Sequence, residues 1–235
     1  MSIKILILGD IHGRKCWRDI ICVENPDLTI FLGDYVSTHE GIESSVQITN
    51  LEDILIYKES NPDKVILLRG NHDMQHLGYP WAECSGYSPH VAEYMIKNRD
   101  RFLNLTQWIE VRNGVIYSHA GVSDIWMKNS NISNIYNVNK MEPSEVFGFT
   151  PCKLSDYTGI SKTQPCTWIR PQTLAECMYG QFDQVVGHSP IRSITNIKSI
   201  YPECKNNLWC CDNLPSQYIL NIDGEFIVKD YEKTN

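Results

Sequence analysis

Lys4-Ile5-Leu6-Ile7-Leu8-Gly9-Asp10-Ile11-His12-Gly13 is the stretch from which the fold can be read. Residues 3–8 form an apolar run interrupted only by Lys4, the mark of a strand buried on both faces. The run ends in a turn carrying an aspartate and a histidine, and Gly9 and Gly13 let the backbone approach a bound ion closely. The pattern recurs. Residues 28–32 lead to Gly33-Asp34-Tyr35-Val36, and residues 65–68 lead to Arg69-Gly70-Asn71-His72-Asp73. Residues 115–117 lead to Ser118-His119-Ala120-Gly121, and residues 184–186 to Gly187-His188-Ser189-Pro190. Asp10, His12, Asp34, Asn71, His119 and His188 are therefore six plausible oxygen and imidazole donors, a mixture suited to two divalent transition metals. Two such ions a few ångströms apart are a recurrent device for in-line attack of hydroxide on phosphorus.

Helical patterns lie between the first three runs. One covers about residues 14–24, with Trp17, Ile20 and Ile21 on one face. The next covers about 44–59, with Ile48, Leu51, Ile54 and Leu55. Strand–helix–strand alternation predicts parallel units whose active loops sit at the strand carboxyl ends, and every donor falls at such an end. A third helical stretch, about 89–103, carries Val91, Tyr94, Met95 and Phe102. Residues 217–222 and 225–230 flank Asp223-Gly224, a hairpin signal. Residues 124–167 lack periodicity and are rich in Asn, Ser, Thr, Pro and Lys. They read as a loop-rich insertion beside the site, within a single domain over residues 1–235.

Hydrophobic residues at 42%, charged ones at 21% and a formal charge of −7 describe an ordinary globular composition. The negative balance argues against an extended nucleic-acid surface, which needs clustered Lys and Arg. It leaves room for a phosphorylated substrate, because bound cations invert the local field. No run approaches the roughly 18 apolar residues of a membrane helix, and the N-terminus reads as a core strand, not a signal peptide. The nine cysteines include no C-x-x-C pair, so a structural zinc site is not expected. A disulfide between the neighbours Cys210 and Cys211 would be strained. Reduced thiols in a cytoplasm are the expectation.

In order and spacing the five donor segments resemble the calcineurin-like metallophosphoesterase superfamily, most closely its bacterial and phage Ser/Thr-type protein phosphatases. Members of that group read GDxHG, GDxxDRG, GNHE or GNHD, HAG or HGG, and GHTP; here the counterparts are spread over residues 9–190. The resemblance implies an α/β fold, an αββα sandwich of two mixed β-sheets flanked by helices. It implies two divalent metal ions, manganese or mixtures of iron and zinc. Asp10 and His12 would bind the first ion, and Asp34 would bridge both. Asn71, His119 and His188 would complete the second site. The nucleophile would be a hydroxide bridging the metals, since coordination lowers the pKa of water to about 7. His72 would protonate the leaving alkoxide. Arg69, as in the family's RGN, and Arg170, in Trp168-Ile169-Arg170, would bind the substrate phosphate; an ordinary ion pair is the alternative for each.

The second motif departs from the family. Where GDxxDRG is expected the chain reads Gly33-Asp34-Tyr35-Val36-Ser37-Thr38. The aspartate that orients and charges the acid histidine is Ser37 here, and a phosphate-binding arginine is Thr38. A hydroxyl can orient an imidazole but does not stabilise imidazolium as a carboxylate does. His39, Glu40 and Asp73 are the nearby candidates to compensate. The aromatic stretch over residues 78–87 would line a substrate groove or simply pack on the surface, while His76, His90 and Arg192 read as structural. The expected activity is hydrolysis of phosphomonoesters, in a phosphoprotein or a small phosphoester, by a Ser/Thr-type protein phosphatase. The alternatives are a dinucleoside polyphosphate hydrolase or nucleotide phosphodiesterase and, in another class, a metal-binding scaffold without catalysis.

Overall fold

The first strand, buried on both faces, shows how the core is layered. In a computed structural model that describes residues 2–37, 40–148, 158–200 and 204–232, β1 (Lys4–Leu8) sends Ile5 and Ile7 to one side and Leu6 and Leu8 to the other, as the two-residue period of a strand requires. Ile5 and Ile7 pack with Val115, Tyr117 and Val185 of a second sheet. Leu6 and Leu8 pack with Trp17 and Ile20 of α1 (Cys16–Glu24) and with Leu51, Ile54 and Leu55 of α2 (Ser44–Ser60). Sheet lies on sheet, with helices outside.

The first sheet has the order β10-β9-β1-β2-β3, with β2 at Leu28–Phe31, β3 at Val65–Leu67, β9 at Gln217–Ile222 and β10 at Glu225–Asp230. β1, β2 and β3 run parallel, and the terminal hairpin closes the edge antiparallel through β9 on β1. The second sheet has the order β4-β5-β6-β8-β7, with β4 at Ile109–Arg112, β5 at Val115–Ser118, β6 at Asp183–Val186, β7 at Thr195–Asn196 and β8 at Leu208–Cys210. Its centre, β5-β6-β8, is parallel and its edges are antiparallel. Two mixed sheets flanked by helices are the architecture expected from the resemblance.

Several elements differ from the sequence reading. The stretch read as one helix over 89–103 is two, α4 (Pro89–Lys97) and α5 (Arg99–Leu105). Asn98 breaks them apart, its side-chain amide donating to the Tyr94 carbonyl, which is the competition with helical bonding that asparagine offers. Strands β4, β7 and β8 were not read from the sequence. Within the loop-rich stretch the chain forms α6 (Asp124–Asn129) and 3₁₀ turns at Ile135–Lys140 and Glu145–Phe147. These are tied to the second sheet: Asn139 Oδ1 accepts from the backbone N–H groups of Trp108 and Ile109, and Phe147 stacks on Trp108. Thr38, His39 and Cys152 lie outside the described residues. The eight described cysteines are all free thiols.

Candidate active site

The loops after β1, β2, β3, β5 and β6 meet because their backbones are tied to one another. The N–H groups of Ile11 and His12 donate to the Asp34 carbonyl, and the Gly187 N–H donates to the His119 carbonyl. Asp73 is the main clamp: its carboxylate accepts from the N–H groups of Asp34, Tyr35 and Gly70 at 3.0, 2.9 and 2.8 Å. Asp10 accepts the His188 N–H through both oxygens, at 2.9 and 3.1 Å. Close approach is permitted by glycine. A Cβ on Gly187 would collide with Asp10 Oδ1, and one on Gly70 with Asp34 Oδ1. Gly9 has a different use from the one expected, packing directly on the Cys211 carbonyl. His12, Asp34 and His188 all hold positive φ, at 46°, 51° and 63°. Such conformations cost about 1 kcal/mol or more in a non-glycine residue and gather at functional sites.

All six sequence-predicted donors converge. His119 donates from Nδ1 to the Leu32 carbonyl at 2.9 Å, so in the neutral ring Nε2 carries a bare lone pair. That nitrogen lies 2.9 Å from Asn71 Oδ1, 3.3 Å from Asp34 Oδ2 and 3.2 Å from His188 Nδ1. His188 Nδ1 is in turn 3.0 Å from Asn71 Oδ1. Four donor atoms thus crowd together with too few protons to link them. Bonds of about 2.1 Å to a central ion leave neighbouring donors about 3 Å apart, so the set fits a divalent cation. On the other side of Asp34, the donor atoms of Asp10, His12 and Asp34 all lie within 4.8 Å of one another. His12 Nδ1 donates to the Val36 carbonyl at 3.1 Å, leaving Nε2 3.8 Å from Asp10 Oδ2. Oxygen and imidazole donors of this kind suit manganese, iron or zinc.

The electrostatics are those of a cation cradle. Burial, then the neighbouring Asp212, pushes the Asp10 carboxyl up. Burial also opposes ionisation of Asp34, yet the imidazoles of His119, His72 and His12 outweigh it and hold that carboxyl below the usual range. Burial works against a charged His119 too, but Asp34 and Asp10 raise it to about 10. His188 is pushed down by burial and by His119 and Arg170. A positive charge is wanted among these groups, and a proton on His119 is the makeshift the protein alone can provide.

Five of the donors, all but the fully buried His119, floor a cavity of about 460 Å³ lined also by His72, Cys84, Ser85, Thr158, Trp168, Arg170, Pro190 and Asp212. His72 donates its backbone N–H to Asp34 Oδ1 at 2.9 Å and holds Nε2 4.0 Å from Asp34 Oδ2. Burial pulls its imidazole down to about 4. Arg170 donates through Nη1 to the His188 carbonyl and Ser189 Oγ, at 3.2 and 3.1 Å. Arg69 corrects the expectation of a phosphate clamp. It does not line the cavity, because its guanidinium is spent on Thr106 Oγ1 and on the Leu103 and Thr106 carbonyls, and lies over the Trp108 ring.

Ser37, which stands where the aspartate is expected, donates from Oγ to the Gly86 carbonyl at 2.9 Å. Of the candidates to compensate, Glu40 pairs with Arg14, Asp73 holds the three backbone N–H groups, and His39 lies outside the described residues. His76 is bonded to the His72 carbonyl and the Ser88 N–H and stacked on Tyr87. The aromatic stretch lines a groove of about 350 Å³ that shares Cys84 with the main cavity. Two ionisable cavity residues escaped the sequence reading. Asp212 had the same signal as the rest, an apolar run over residues 208–211 ending in an aspartate. Cys84 had none.

The model of the calcineurin-like phosphoesterase family matches residues 3–206, and the chain belongs to that family of metal-dependent phosphoesterases. No curated protein sequence matches it. Among solved structures, a protein serine/threonine phosphatase from Saccharomyces cerevisiae superposes with a TM-score of 0.62 at 13% identity, over 99% of this chain and 81% of that one. A cold-active protein-tyrosine phosphatase of a psychrophilic Shewanella species gives 0.60 at 16% identity, over 97% and 78%. A metallophosphoesterase from Sphaerobacter thermophilus gives 0.51 at 12%, over 99% and 89%. At these identities the likeness is one of fold.

Proposed function

We propose that this cavity hydrolyses phosphomonoesters with the help of two divalent cations, manganese foremost, and that its substrates are phosphoserine and phosphothreonine in proteins. The observation that carries the reading is the crowding of Asp34 Oδ2, Asn71 Oδ1, His119 Nε2 and His188 Nδ1 at 2.9–3.3 Å, with Asp10 and His12 across Asp34. Asp34 lies in both donor groups and would serve both ions. Bound cations would supply an activated water and neutralise phosphate oxygens. The protein's part is the rest. His72 protonates the leaving oxygen, a role supported by its Nε2 at 4.0 Å from Asp34 Oδ2 and by its place in the cavity wall. Arg170 holds the phosphate oxygen that faces away from the cations, its guanidinium steadied by the His188 carbonyl and Ser189 Oγ. Free thiols throughout the described residues suit a reducing cytoplasm.

One observation favours a second reading, a nucleotide phosphodiesterase or dinucleoside polyphosphate hydrolase. Arg170 is the one guanidinium among the described cavity residues, and a diester has less charge to lose by a missing clamp. A scaffold without catalysis is disfavoured because such proteins tend to lose donors, and all six are present. The test is a manganese-loaded assay across phosphopeptides, mononucleotides, a diester and diadenosine polyphosphates. Phosphopeptides turned over fastest support the proposal. A preference for diesters or polyphosphates moves the assignment to the second reading, and no turnover of any phosphoester contradicts both.

A further inference from the structure

Cys84 sits between a 3₁₀ turn at Pro80–Ala82 and α4, in a segment that folds back over the helix carrying the acid and the amide donor, α3 (Asn71–His76). Its thiol donates to Gln75 Oε1 at 2.7 Å, and Gln75 Nε2 donates back to the Cys84 carbonyl at 2.7 Å. The glutamine amide therefore grips this residue by both backbone and side chain and fixes where the sulfur points. With the S–H committed to Gln75, the sulfur lone pairs face two N–H donors. Asn71 Nδ2 lies 3.3 Å away and His72 Nδ1 3.5 Å away.

Each contact removes an ambiguity. A primary amide offers an oxygen or a nitrogen to its surroundings, and only the oxygen is useful to a cation. A sulfur acceptor behind Asn71 draws the nitrogen and leaves Oδ1 facing His119 and His188. An imidazole can likewise swing about its bonds. In the imidazolium form, the one that can give up a proton, both ring nitrogens carry N–H, and a sulfur acceptor at Nδ1 keeps the Nε2–H on the Asp34 side. We propose that Cys84 is a positioning residue that orients both the donor Asn71 and the acid His72, supplying through sulfur the orientation that the chain lacks a carboxylate at position 37 to give. Ser37 is committed to the Gly86 carbonyl, whereas the thiol reaches both Asn71 and His72. The part concerning His72 rests on the proposed function above; the part concerning Asn71 requires only that the donor cluster binds a cation.

Two readouts separate these parts. The first is manganese(II) affinity measured calorimetrically without substrate; the second is kcat on an alkyl and an aryl phosphate, with His72→Asn assayed alongside. Cys84→Ala should weaken manganese binding about tenfold, the usual cost of removing a partner behind a ligand. It should lower kcat on the alkyl phosphate about tenfold and on the aryl phosphate less than about twofold, with KM little changed. Cys84→Ser, whose hydroxyl makes the same bonds, should restore both. Unchanged manganese affinity in Cys84→Ala together with equal kcat changes on the two substrates overturns the proposal, as does failure of Cys84→Ser to restore either. If His72→Asn itself lowers both substrates equally, the acid assignment is what fails, and the manganese affinity still decides the role of Cys84 on Asn71.

Discussion

His72 and Ser37 show how much depends on where a single side chain points. Under the proposed acid role, His72, with its Nε2 turned toward Asp34, would have its effect on a leaving group that departs as a strong base. His72→Asn should therefore slow alkyl phosphates by about 100-fold or more and an aryl phosphate far less, because the phenolate needs little protonation. Steady-state kcat on the two substrates checks this, and equal losses would make His72 a structural residue. Ser37→Asp should bring no gain, although the family carries aspartate there. The Ser37 hydroxyl is buried and donates to the Gly86 carbonyl, so a carboxylate would set acceptor against acceptor at a cost of about 2 kcal/mol. A melting temperature lowered by about 5 °C is expected, and an unchanged one would show that the loop rearranges. The donors themselves were legible in the sequence, since each closes a local apolar run. Arg69 was not, because what holds it, Leu103, Thr106 and Trp108, lies far along the chain and leaves no local mark.

Strand ends set the positions of these side chains, and the close contacts between the ends test that. Gly187 follows β6 and packs against Asp10, which follows β1 in the other sheet. Gly187→Ala would drive a methyl group into Asp10 Oδ1 and disturb the two bonds from the His188 N–H. Metal affinity should fall by about tenfold or more, with circular dichroism unchanged because no strand is interrupted. Unaltered affinity would mean that the loops can part without consequence. At this scale strands β1, β2, β3, β5 and β6 and the first two helices were legible from apolar period, and the hairpin over 217–230 from Asp223-Gly224. Strands β4, β7 and β8 were not. β7 has two residues, too few for alternation to show, β8 lies in the apolar run before Asp212 but lacks the glycine that marks the other turns, and β4 is half-buried at a sheet edge. The 124–148 segment hid its structure because its ties to Trp108 and Ile109 are side-chain bonds from Asn139, which no periodicity announces.

Taken whole, the molecule buries acidic groups around a place for cations, and its stability should report that. His119 is raised to about 10 by Asp34 and Asp10 against burial, and Asp73 to about 8 by burial and then Asp34. A group whose folded pKa exceeds its unfolded value of about 6.5 for His or about 3.9 for Asp stabilises below that unfolded value. The contribution is lost as pH rises through the folded one. For His119 the window is about 6.5 to 10, and for Asp73 it closes near 8. The melting temperature of metal-free protein should therefore fall steadily from pH 7 to pH 9. Manganese should raise it and flatten the fall, since a cation then does the work of the His119 proton. A metal-free protein that is equally stable across that range would contradict this electrostatic account.

Asp34 joins the two donor groups, so the account stands or falls on how many ions it holds. The deciding measurement is manganese stoichiometry by elemental analysis and calorimetry on wild type and Asp34→Asn. Two ions per chain in the wild type, with both weakened in Asp34→Asn and turnover abolished, is the predicted result. One ion or none in the wild type, or two ions and normal turnover retained in Asp34→Asn, would contradict it.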